Sequence, residues 1–241
     1  PWLHAAESKE ILDAFGIPTV RSLPAHTAEE AVARACEVGF PVAMKILSPD
    51  IPHKTDVDGV RLGLVDERDV RGAYGRMMAD VARKRPEADL QGVLIEPMYR
   101  EKNRRELMIG VVRDPVFGPA ISFGLGGIFV EVIRDSAVAL PPLNQFLIHE
   151  LIRRTRAAQA LQPLRGAPAA DEEAVVQILL RVSEIVSELP TVGAMDLNPL
   201  IVTEHGAVVV DARIGVLPSP ATARPYDHMA IHPYPSGLRD R

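Results

Sequence analysis

The stretch PVAMKILSPDIPHKTDVDGV, residues 41–60, joins an apolar strand to a polar loop. Residues 41–47 form an apolar run of strand length, and a second, alternating strand begins at Val60. Lys45 interrupts the apolar run. An ammonium group among apolar side chains is costly unless it is paired or faces a bound anion. Two interpretations of Lys45 stay open: a lysine at a sheet edge whose head reaches water, or a cation that binds phosphate groups.

The loop between these two strands carries side chains suited to phosphate chemistry. It contains an imidazole at His53, an ammonium at Lys54 and a permissive backbone position at Gly59. Such a loop can wrap phosphate groups, and a histidine can also accept a phosphoryl group. His53 is therefore a candidate catalytic residue. The alternative of a solvated surface histidine stays open, although its closeness to Lys45 in the sequence counts against it.

Composition and charge narrow the class of protein. The 241 residues are 47% hydrophobic and 24% charged, which is typical of a globular chain and excludes global disorder. A net charge of −5 argues against a nucleic-acid or membrane-surface binder. The single cysteine, Cys36, excludes an intramolecular disulfide and a multi-thiolate metal site, and it suits a reducing cytoplasm. No apolar run reaches the length of a membrane span.

Helical and extended patterns alternate along the chain, which predicts an α/β (α+β) protein of two lobes. The first lobe, residues 1–95, opens with a short helix from Glu7 to Phe15, and the second lobe covers residues 96–214. A hinge is expected near Glu96 to Tyr99. Residues 215–241 contain five prolines and little periodicity, which predicts a linker towards a following domain.

A group of oxygen-bearing side chains is predicted in the second lobe. Asp196 and Asn198 are two apart in a strand, so both side chains project from one face. A hairpin turn at residues 204–206 would fold Asp211 back beside them. Carboxylate and amide oxygens suit Mg²⁺, which takes hard ligands and leaves positions for phosphates and water. The alternative is that these residues only end strands and cap turns.

Several weaker signals lie near the predicted hinge and along the second lobe. Glu106 is a carboxylate at the start of an apolar strand. Glu96 and Met98 flank a proline at the hinge, where a backbone edge can meet a purine. The glycine loop 124–127, with Gly126 and Gly127, either approaches an anion through backbone N–H groups or makes a tight turn.

Taken together, these stretches resemble the ATP-grasp region of ADP-forming acyl-CoA synthetases, which are relatives of the succinyl-CoA synthetase beta subunit. The resemblance extends from about Glu7 to Arg213. It rests on SKE (8–10) with GIP (16–18), Lys45 with SPDI (48–51), HK (53–54) with DV (56–57), GV (59–60), EL (106–107), RDP (113–115) with FG (117–118), GLGGIFVE (124–131), DLNPL (196–200) and DAR (211–213). Asp58 stands where the family usually has a glycine.

The resemblance implies an ATP-grasp fold whose two lobes hold Mg·ATP, or Mg·ADP, in a cleft between them. It assigns Lys45 and Lys54 to the phosphates, Glu96 and Met98 to the adenine edge, Glu106 to the ribose, Gly59, Gly126 and Gly127 to phosphate loops, and Asn198 with Asp211 to Mg²⁺, with Asp196 beside them.

The resemblance also implies a partner. In these synthetases a phosphohistidine on a separate CoA-binding part passes phosphate to the ATP-grasp half. The histidine that matches His53 is a second relay, which accepts phosphate and delivers it to ADP. The expected partner is therefore a CoA-binding synthetase-like domain, in the same chain or in another. Alone, the fragment is expected to bind nucleotide without complete turnover.

The tail carries a second resemblance. Residues 223–235, ARPYDHMAIHPYP, resemble the junction between a synthetase-like region and a GNAT domain in bacterial Pat-type protein lysine acetyltransferases. On this resemblance the chain is an excised module, with a CoA-binding part before Pro1 and an acetyltransferase part after Arg241. The alternative function is then a regulatory domain that senses a ligand without synthetase turnover.

Overall fold

The computed structural model divides the chain into two compact units. The small unit is Thr19–Lys102, and the large unit combines Pro1–Pro18 with the chain from Asn103 onward. The structure describes residues 1–51, 54–99, 103–114, 117–127, 135–164 and 166–218. Two predictions therefore lie outside the described residues: the role of His53, and the nature of most of the tail.

Six helices and ten strands are described, together with a short 3₁₀ turn at Lys54–Val57. The helices are α1 (Ala5–Ala14), α2 (Ala28–Val38), α3 (Glu67–Lys84), α4 (Gln145–Arg153), α5 (Ala157–Leu161) and α6 (Glu172–Glu188). The strands are β1 (Leu23–Ala25), β2 (Val42–Leu47), β3 (Val60–Leu64), β4 (Gly92–Pro97), β5 (Arg105–Asp114), β6 (Gly118–Leu125), β7 (Ser136–Ala139), β8 (Val192–Thr203), β9 (Gly206–Val209) and β10 (Ala212–Val216).

The small unit is an antiparallel sheet in the order β1-β4-β2-β3, covered on one face by α2 and α3. Alternate residues of the two central strands enter the core with the helices, among them Met44 and Ile46 of β2. The residues between them therefore lie on the opposite face of the sheet. Lys45 and Glu96 are on that opposite face.

The large unit is an antiparallel sheet in the order β10-β8-β5-β6-β7, in which β9 also pairs with β8. The long strand β8 pairs with β10 along its first half and with β9 along its second half. One face of the sheet packs with α1 and the helices α4 to α6. This core face includes Leu107, Ile109, Leu197 and Ile214. The opposite face carries the polar residues of these strands, and we call it the polar face.

Both sheets are antiparallel in every described pairing, so the chain belongs to the α+β class. Within the described ranges, no helix combines the length and the apolar content that crossing a bilayer requires.

The ends of the predicted lobes differ from the observed units. Helix α1, predicted in the first lobe, belongs to the large unit, because Leu12 and Ile17 are buried in its core. The predicted linker began at Gly215, but Gly215 pairs with Ala194 inside strand β10. The strand is held at its end because Leu217 N–H donates to Thr191 O at 2.8 Å.

Candidate functional site

The predicted site residues fall into one group in each unit. The small unit carries Lys45, Lys54, Gly59, Glu96 and Met98, and the large unit carries Glu106, Gly126, Gly127, Asp196, Asn198 and Asp211.

In the small unit, Lys45 and Glu96 form a buried ion pair. Strand β2 lies beside β4 so that Ala43 is opposite Glu96, and Lys45 is two residues further along on the same face. Lys45 Nζ lies 2.7 Å from Glu96 Oε2, and the two side chains are 11% and 3% exposed. The edge-lysine interpretation is wrong, because β2 lies inside the sheet between β4 and β3. The attraction to Glu96 offsets part of the desolvation cost of the buried Lys45 ammonium.

Ser22 completes this group, although no pattern in the sequence points to it. The Ser22 hydroxyl donates a short hydrogen bond to Glu96 Oε1. One carboxylate oxygen of Glu96 therefore faces the Ser22 hydroxyl and the other faces the Lys45 ammonium. Ser22 lies in an irregular segment ahead of β1, where no periodicity distinguishes it from an ordinary loop serine. The arrangement fixes the Glu96 side chain from two sides.

The loop after residue 53 is closed on itself at Gly59. Lys54 begins the 3₁₀ turn, and its carbonyl accepts a hydrogen bond from Gly59 N–H at 2.7 Å. A Cβ on Gly59 would lie 2.5 Å from Ile46 Cγ2 and 2.8 Å from Lys54 O, so only glycine fits this close approach. Gly59 therefore packs the Lys54 turn against β2. Its predicted contact with phosphate stays a prediction.

Asp58, where the resemblance to acyl-CoA synthetases leads us to expect a glycine, adopts a backbone conformation that glycine favours. Its φ is +57°, in the left-handed region. The Asp58 carboxylate forms an ion pair with Lys84 of α3, and its carbonyl accepts a hydrogen bond from Arg61 Nη1 at 2.7 Å. The hydrogen bond from Lys84 and then its charge lower the pKa of Asp58. The negative charge beside the loop is thus balanced by Lys84.

Met98 follows β4 and is engaged through both its backbone and its side chain. Its N–H donates to Pro41 O at 3.2 Å, and its sulfur accepts a hydrogen bond from Gly63 N–H at 2.8 Å. These contacts connect the end of β4 with Pro41, directly before β2, and with Gly63 of β3, the strand on the far side of β2. The assignment of Met98 to the adenine edge stays a prediction.

In the large unit, Asn198 and Asp211 are opposite each other on neighbouring segments. Leu197 pairs with Ala212, and one step further Asn198 N–H donates to Asp211 O at 3.1 Å. Leu197 and Ala212 face the core, so the side chains of Asn198 and Asp211 project on the polar face. Asp196, two residues before Asn198, projects on the same face. The sequence prediction that these three side chains share one face agrees with this register.

Gly127 connects the glycine loop to this group. Its N–H donates to Asn198 Oδ1 at 3.1 Å, and its φ is +78°. A Cβ on Gly127 would lie 2.3 Å from Glu106 Oε2, so the Glu106 carboxylate lies directly beside Gly127. Gly126 N–H donates to Glu106 O at 2.7 Å. The described part of the loop therefore brings Glu106 next to Asn198.

Two arginines accompany the carboxylates of the large unit. Arg104 Nε lies 3.4 Å from Glu106 Oε1, and Arg213 Nη2 lies 3.7 Å from Asp211 Oδ2. Arg213 was not among the predicted site residues. Its signal is the alternation of β10, where buried Ala212 and Ile214 flank it and place it on the polar face.

The oxygen set fits a magnesium ion that also binds phosphate. Among the described residues, no three His, Cys, Asp or Glu side chains lie close enough to hold a metal ion by themselves. Mg²⁺ is usually bound by one or two carboxylates, with phosphates and water at the remaining positions. The amide oxygen of Asn198 and the carboxylate of Asp211 are hard donors of this kind, and they project side by side on the polar face.

Comparison with known proteins connects this geometry to a family. The sequence matches the ATP-grasp domain family over residues 1–216. It is 40% identical to subunit beta of the ADP-forming acetate–CoA ligase I of Pyrococcus furiosus over 208 residues, 86% of this chain and 89% of that subunit. It is also 40% identical to the ADP-forming acetate–CoA ligase I of Archaeoglobus fulgidus over 209 residues, 87% of this chain and 30% of that protein.

Solved structures share the fold. The dinucleotide forming acetyl-coenzyme A synthetase 1 of Ca. Korarchaeum cryptofilum, in complex with coenzyme A, Ca-AMPCP and HgCl⁺, has a TM-score of 0.84 at 39% identity, covering 90% of this chain and 93% of that chain. The same enzyme in complex with coenzyme A and Mg-AMPPCP, its phosphohistidine segment pointing towards the nucleotide binding site, has a TM-score of 0.75 at 37% identity over the same shares.

The chain spans most of a separate beta subunit and about 30% of a single-chain ligase. The family match covers both units, and the predicted ATP-grasp fold is confirmed. The chain therefore belongs to the ATP-grasp domain family and is an ATP-grasp module of the ADP-forming acyl-CoA synthetase type.

Proposed function

We propose that this module binds the magnesium complex of ATP or ADP and moves a phosphoryl group between the nucleotide and a histidine. One observation carries the proposal: Asn198 N–H donates to Asp211 O, which makes the two residues neighbours, and Gly127 N–H binds the Asn198 amide oxygen. The related Ca. Korarchaeum cryptofilum enzyme in complex with Mg-AMPPCP supports a magnesium nucleotide as the ligand.

Each unit contributes its own set of roles in this proposal. From the small unit, Lys45 and Lys54 bind phosphate oxygens, and the backbone around Glu96 and Met98 meets the purine. Phosphate groups are dianionic ligands that lysine ammonium groups bind as point charges. The Lys45–Glu96 pair supports this role, because a lysine fixed by a buried carboxylate is already desolvated and oriented.

From the large unit, Glu106 binds the ribose and the oxygens of Asn198 and Asp211 hold Mg²⁺, with Asp196 nearby. A magnesium ion held by these oxygens would supply positive charge beside the phosphate groups during phosphoryl transfer. The N–H of Gly127 keeps the Asn198 amide oxygen at a fixed place on the polar face. Gly126 lets the backbone approach Leu107 of β5 closely, which only a residue without a side chain allows, and Gly127 lies beside the Glu106 carboxylate.

In the direction from ATP, the γ-phosphoryl group passes to the imidazole of His53. A P–N bond forms, the P–O bond to the β-phosphate oxygen breaks, ADP leaves, and the imidazole loses its N–H proton. The reverse step regenerates ATP from ADP. In the sequence, His53 comes after β2 and directly precedes Lys54. The Lys54 ammonium can neutralise the transferred phosphoryl group.

A CoA-binding partner supplies the rest of the reaction. The relatives include a separate beta subunit and a single-chain ligase of which this chain matches 30%, so in these proteins the ATP-grasp part works beside other parts. The phosphohistidine segment of the Ca. Korarchaeum cryptofilum enzyme points towards its nucleotide site, which supports a relay from the partner.

We also place the protein in the cytoplasm, because its single cysteine suits a reducing compartment.

The test is phosphorylation of the chain by Mg·ATP labelled on the γ-phosphate. The unmodified chain should gain acid-labile, base-stable label, as expected of a phosphohistidine. His53→Ala should remove the label. His205→Ala is the matched control, because His205 is an exposed loop histidine in the β8–β9 turn and should leave labelling unchanged. Label that persists in His53→Ala would rule out His53 as the acceptor.

The alternative of a regulatory domain in a Pat-type acetyltransferase gains no support. The relatives reported above are acyl-CoA ligases and synthetases. Residues 223–235, which carry that resemblance, lie outside the described residues. No observation favours this alternative over the ligase function.

A further inference from the structure

Arg213 is placed between two carboxylates on the polar face of the large unit. In strand β10 it lies directly opposite Asp196 of β8. Asp211 precedes it by two residues, and Arg213 Nη2 lies 3.7 Å from Asp211 Oδ2. The neighbouring residues Ala212 and Ile214 are buried in the core, so the guanidinium cannot turn to the other face without entering that core.

The contact between Arg213 and Asp211 is loose. A separation of 3.7 Å exceeds a normal charge-assisted hydrogen bond, and both side chains are about 30% exposed, at 27% and 31%. The ion pair therefore contributes little to stability, and little free energy is needed to separate the two side chains. Beyond Asp196, the same row of the sheet continues with Gly110 and Ser122, both small residues. Of these four residues, only Asp196 and Arg213 are charged.

We propose that Arg213 is a phosphate-binding residue that serves as the counter-ion of Asp211 until a divalent cation takes its place. This inference rests on the proposed function and adds a residue to its site. When Mg²⁺ binds the Asp211 carboxylate, the guanidinium is displaced and donates to the phosphate oxygens of the nucleotide.

The physical basis is the competition of two cations for one carboxylate. A guanidinium next to Asp211 opposes the binding of another cation there, because like charges repel at short range. A triphosphate reverses this effect, because its oxygens accept the planar donors of arginine in pairs. Arg213 should therefore weaken the binding of the free metal ion and strengthen the binding of the metal–nucleotide complex.

Two binding measurements on the full chain separate these effects. Mn²⁺ alone, without nucleotide, is titrated by electron paramagnetic resonance, and Mg·ATP is titrated by calorimetry. Arg213→Met should bind Mn²⁺ about threefold to tenfold more tightly, because the competing charge is gone. It should bind Mg·ATP about tenfold or more weakly, because the charge-assisted hydrogen bonds to phosphate are lost.

Arg213→Lys keeps the charge but removes the planar group. It should bind Mn²⁺ as the unmodified chain does and bind Mg·ATP more weakly, at a level between the unmodified chain and Arg213→Met. This variant also keeps the test valid if Arg213→Met does not fold. Arg153→Met is the matched control, because Arg153 is an exposed arginine paired with Glu150 in the same unit, and neither titration should change.

The inference is overturned if Mg·ATP binding is unchanged in both Arg213 variants, or if Mn²⁺ and Mg·ATP binding weaken together in Arg213→Met. The proposed function is tested separately by Asp211→Asn, which should lose Mn²⁺ binding. If Asp211→Asn binds Mn²⁺ as before, the metal assignment fails, whatever the Arg213 variants do.

Discussion

Lys45 Nζ lies 2.7 Å from Glu96 Oε2 inside the small unit, and neither side chain has substantial access to water. The Ser22 hydroxyl binds the other oxygen of the same carboxylate. A buried ion pair contributes little net stability, but removal of one partner leaves an uncompensated buried charge. The pair should therefore be much more sensitive to single substitutions than to a double substitution.

Lys45→Met alone should lower the free energy of unfolding by about 3 to 5 kcal/mol, because Glu96 stays buried without its counter-ion. Lys45→Met combined with Glu96→Met should restore most of that loss. Urea unfolding followed by far-ultraviolet circular dichroism is the appropriate measurement, because the single tryptophan, Trp2, lies in the large unit.

Arg71→Met provides the control for this comparison. Arg71 pairs with Glu29 on the exposed surface of the same unit, so its loss should change the free energy of unfolding by less than about 1 kcal/mol. A double variant as unstable as Lys45→Met would show that the cost comes from lost packing and not from the unpaired charge.

The ion pair of Asp58 with Lys84 should make the stability of the small unit depend on pH. The hydrogen bond and the charge of Lys84 lower the pKa of Asp58 in the folded state. The stabilisation is thus present above the unfolded-state pKa of this aspartate, and it is lost as the pH falls through the lowered value. Lys84→Met should raise the folded-state pKa of Asp58 towards its ordinary range, as measured by NMR titration.

The neighbouring basic residue supplies a control for that titration. Arg83 pairs with Asp80 and not with Asp58, so Arg83→Met should leave the pKa of Asp58 nearly unchanged. Equal shifts in the two variants would show that the general charge of α3, and not the specific pair, sets the pKa.

Gly126 and Gly127 should respond differently to alanine. A Cβ on Gly126 would lie 2.3 Å from the backbone oxygen of Leu107, so strand β5 would have to move. A Cβ on Gly127 would meet the Glu106 carboxylate, which can turn away, and the remaining cost is the left-handed backbone. Gly126→Ala should therefore cost about 2 kcal/mol or more, and Gly127→Ala about 1 to 2 kcal/mol.

Relative to the stability that each substitution costs, Gly127→Ala should weaken Mg·ATP binding more than Gly126→Ala does. Gly127→Ala displaces Glu106 and strains the N–H that binds Asn198, so it should weaken Mg·ATP binding more than its small loss of stability suggests. Thermal unfolding and calorimetric titration of both variants provide the comparison. Unchanged nucleotide binding in Gly127→Ala would separate this loop from the nucleotide site.

The relative positions of Asp196, Asn198 and Asp211 could be predicted from the sequence. The two-residue spacing of Asp196 and Asn198 and the turn at residues 204–206 were sufficient to predict that Asp211 returns beside them. These relations depend on the period of a strand and on a short turn, which are local properties. The polar face of β8 therefore follows from nearby residues alone.

The end of β10, the placement of α1 and the partner of Lys45 could not be predicted, because they depend on contacts between segments that are distant in the sequence. The low periodicity after residue 214 predicts a linker there, whereas the end of β10 is fixed by its pairing with β8 and by the bridge between Trp2 and Gly215, which join distant parts of the chain. The placement of α1 in the large unit has the same cause. The partner of Lys45 was also missed, since no local pattern connects a residue of β2 with Glu96 on β4.

The other proposed roles depend on the binding of a magnesium nucleotide through Asp211 and Asn198. The most direct test is calorimetric titration of Mg·ATP into the unmodified chain and into Asp211→Ala. We expect saturable heat with the unmodified chain and its loss in Asp211→Ala, while that variant stays folded by circular dichroism. The same binding heat in both proteins, or none in either, would show that Asp211 does not bind a magnesium nucleotide.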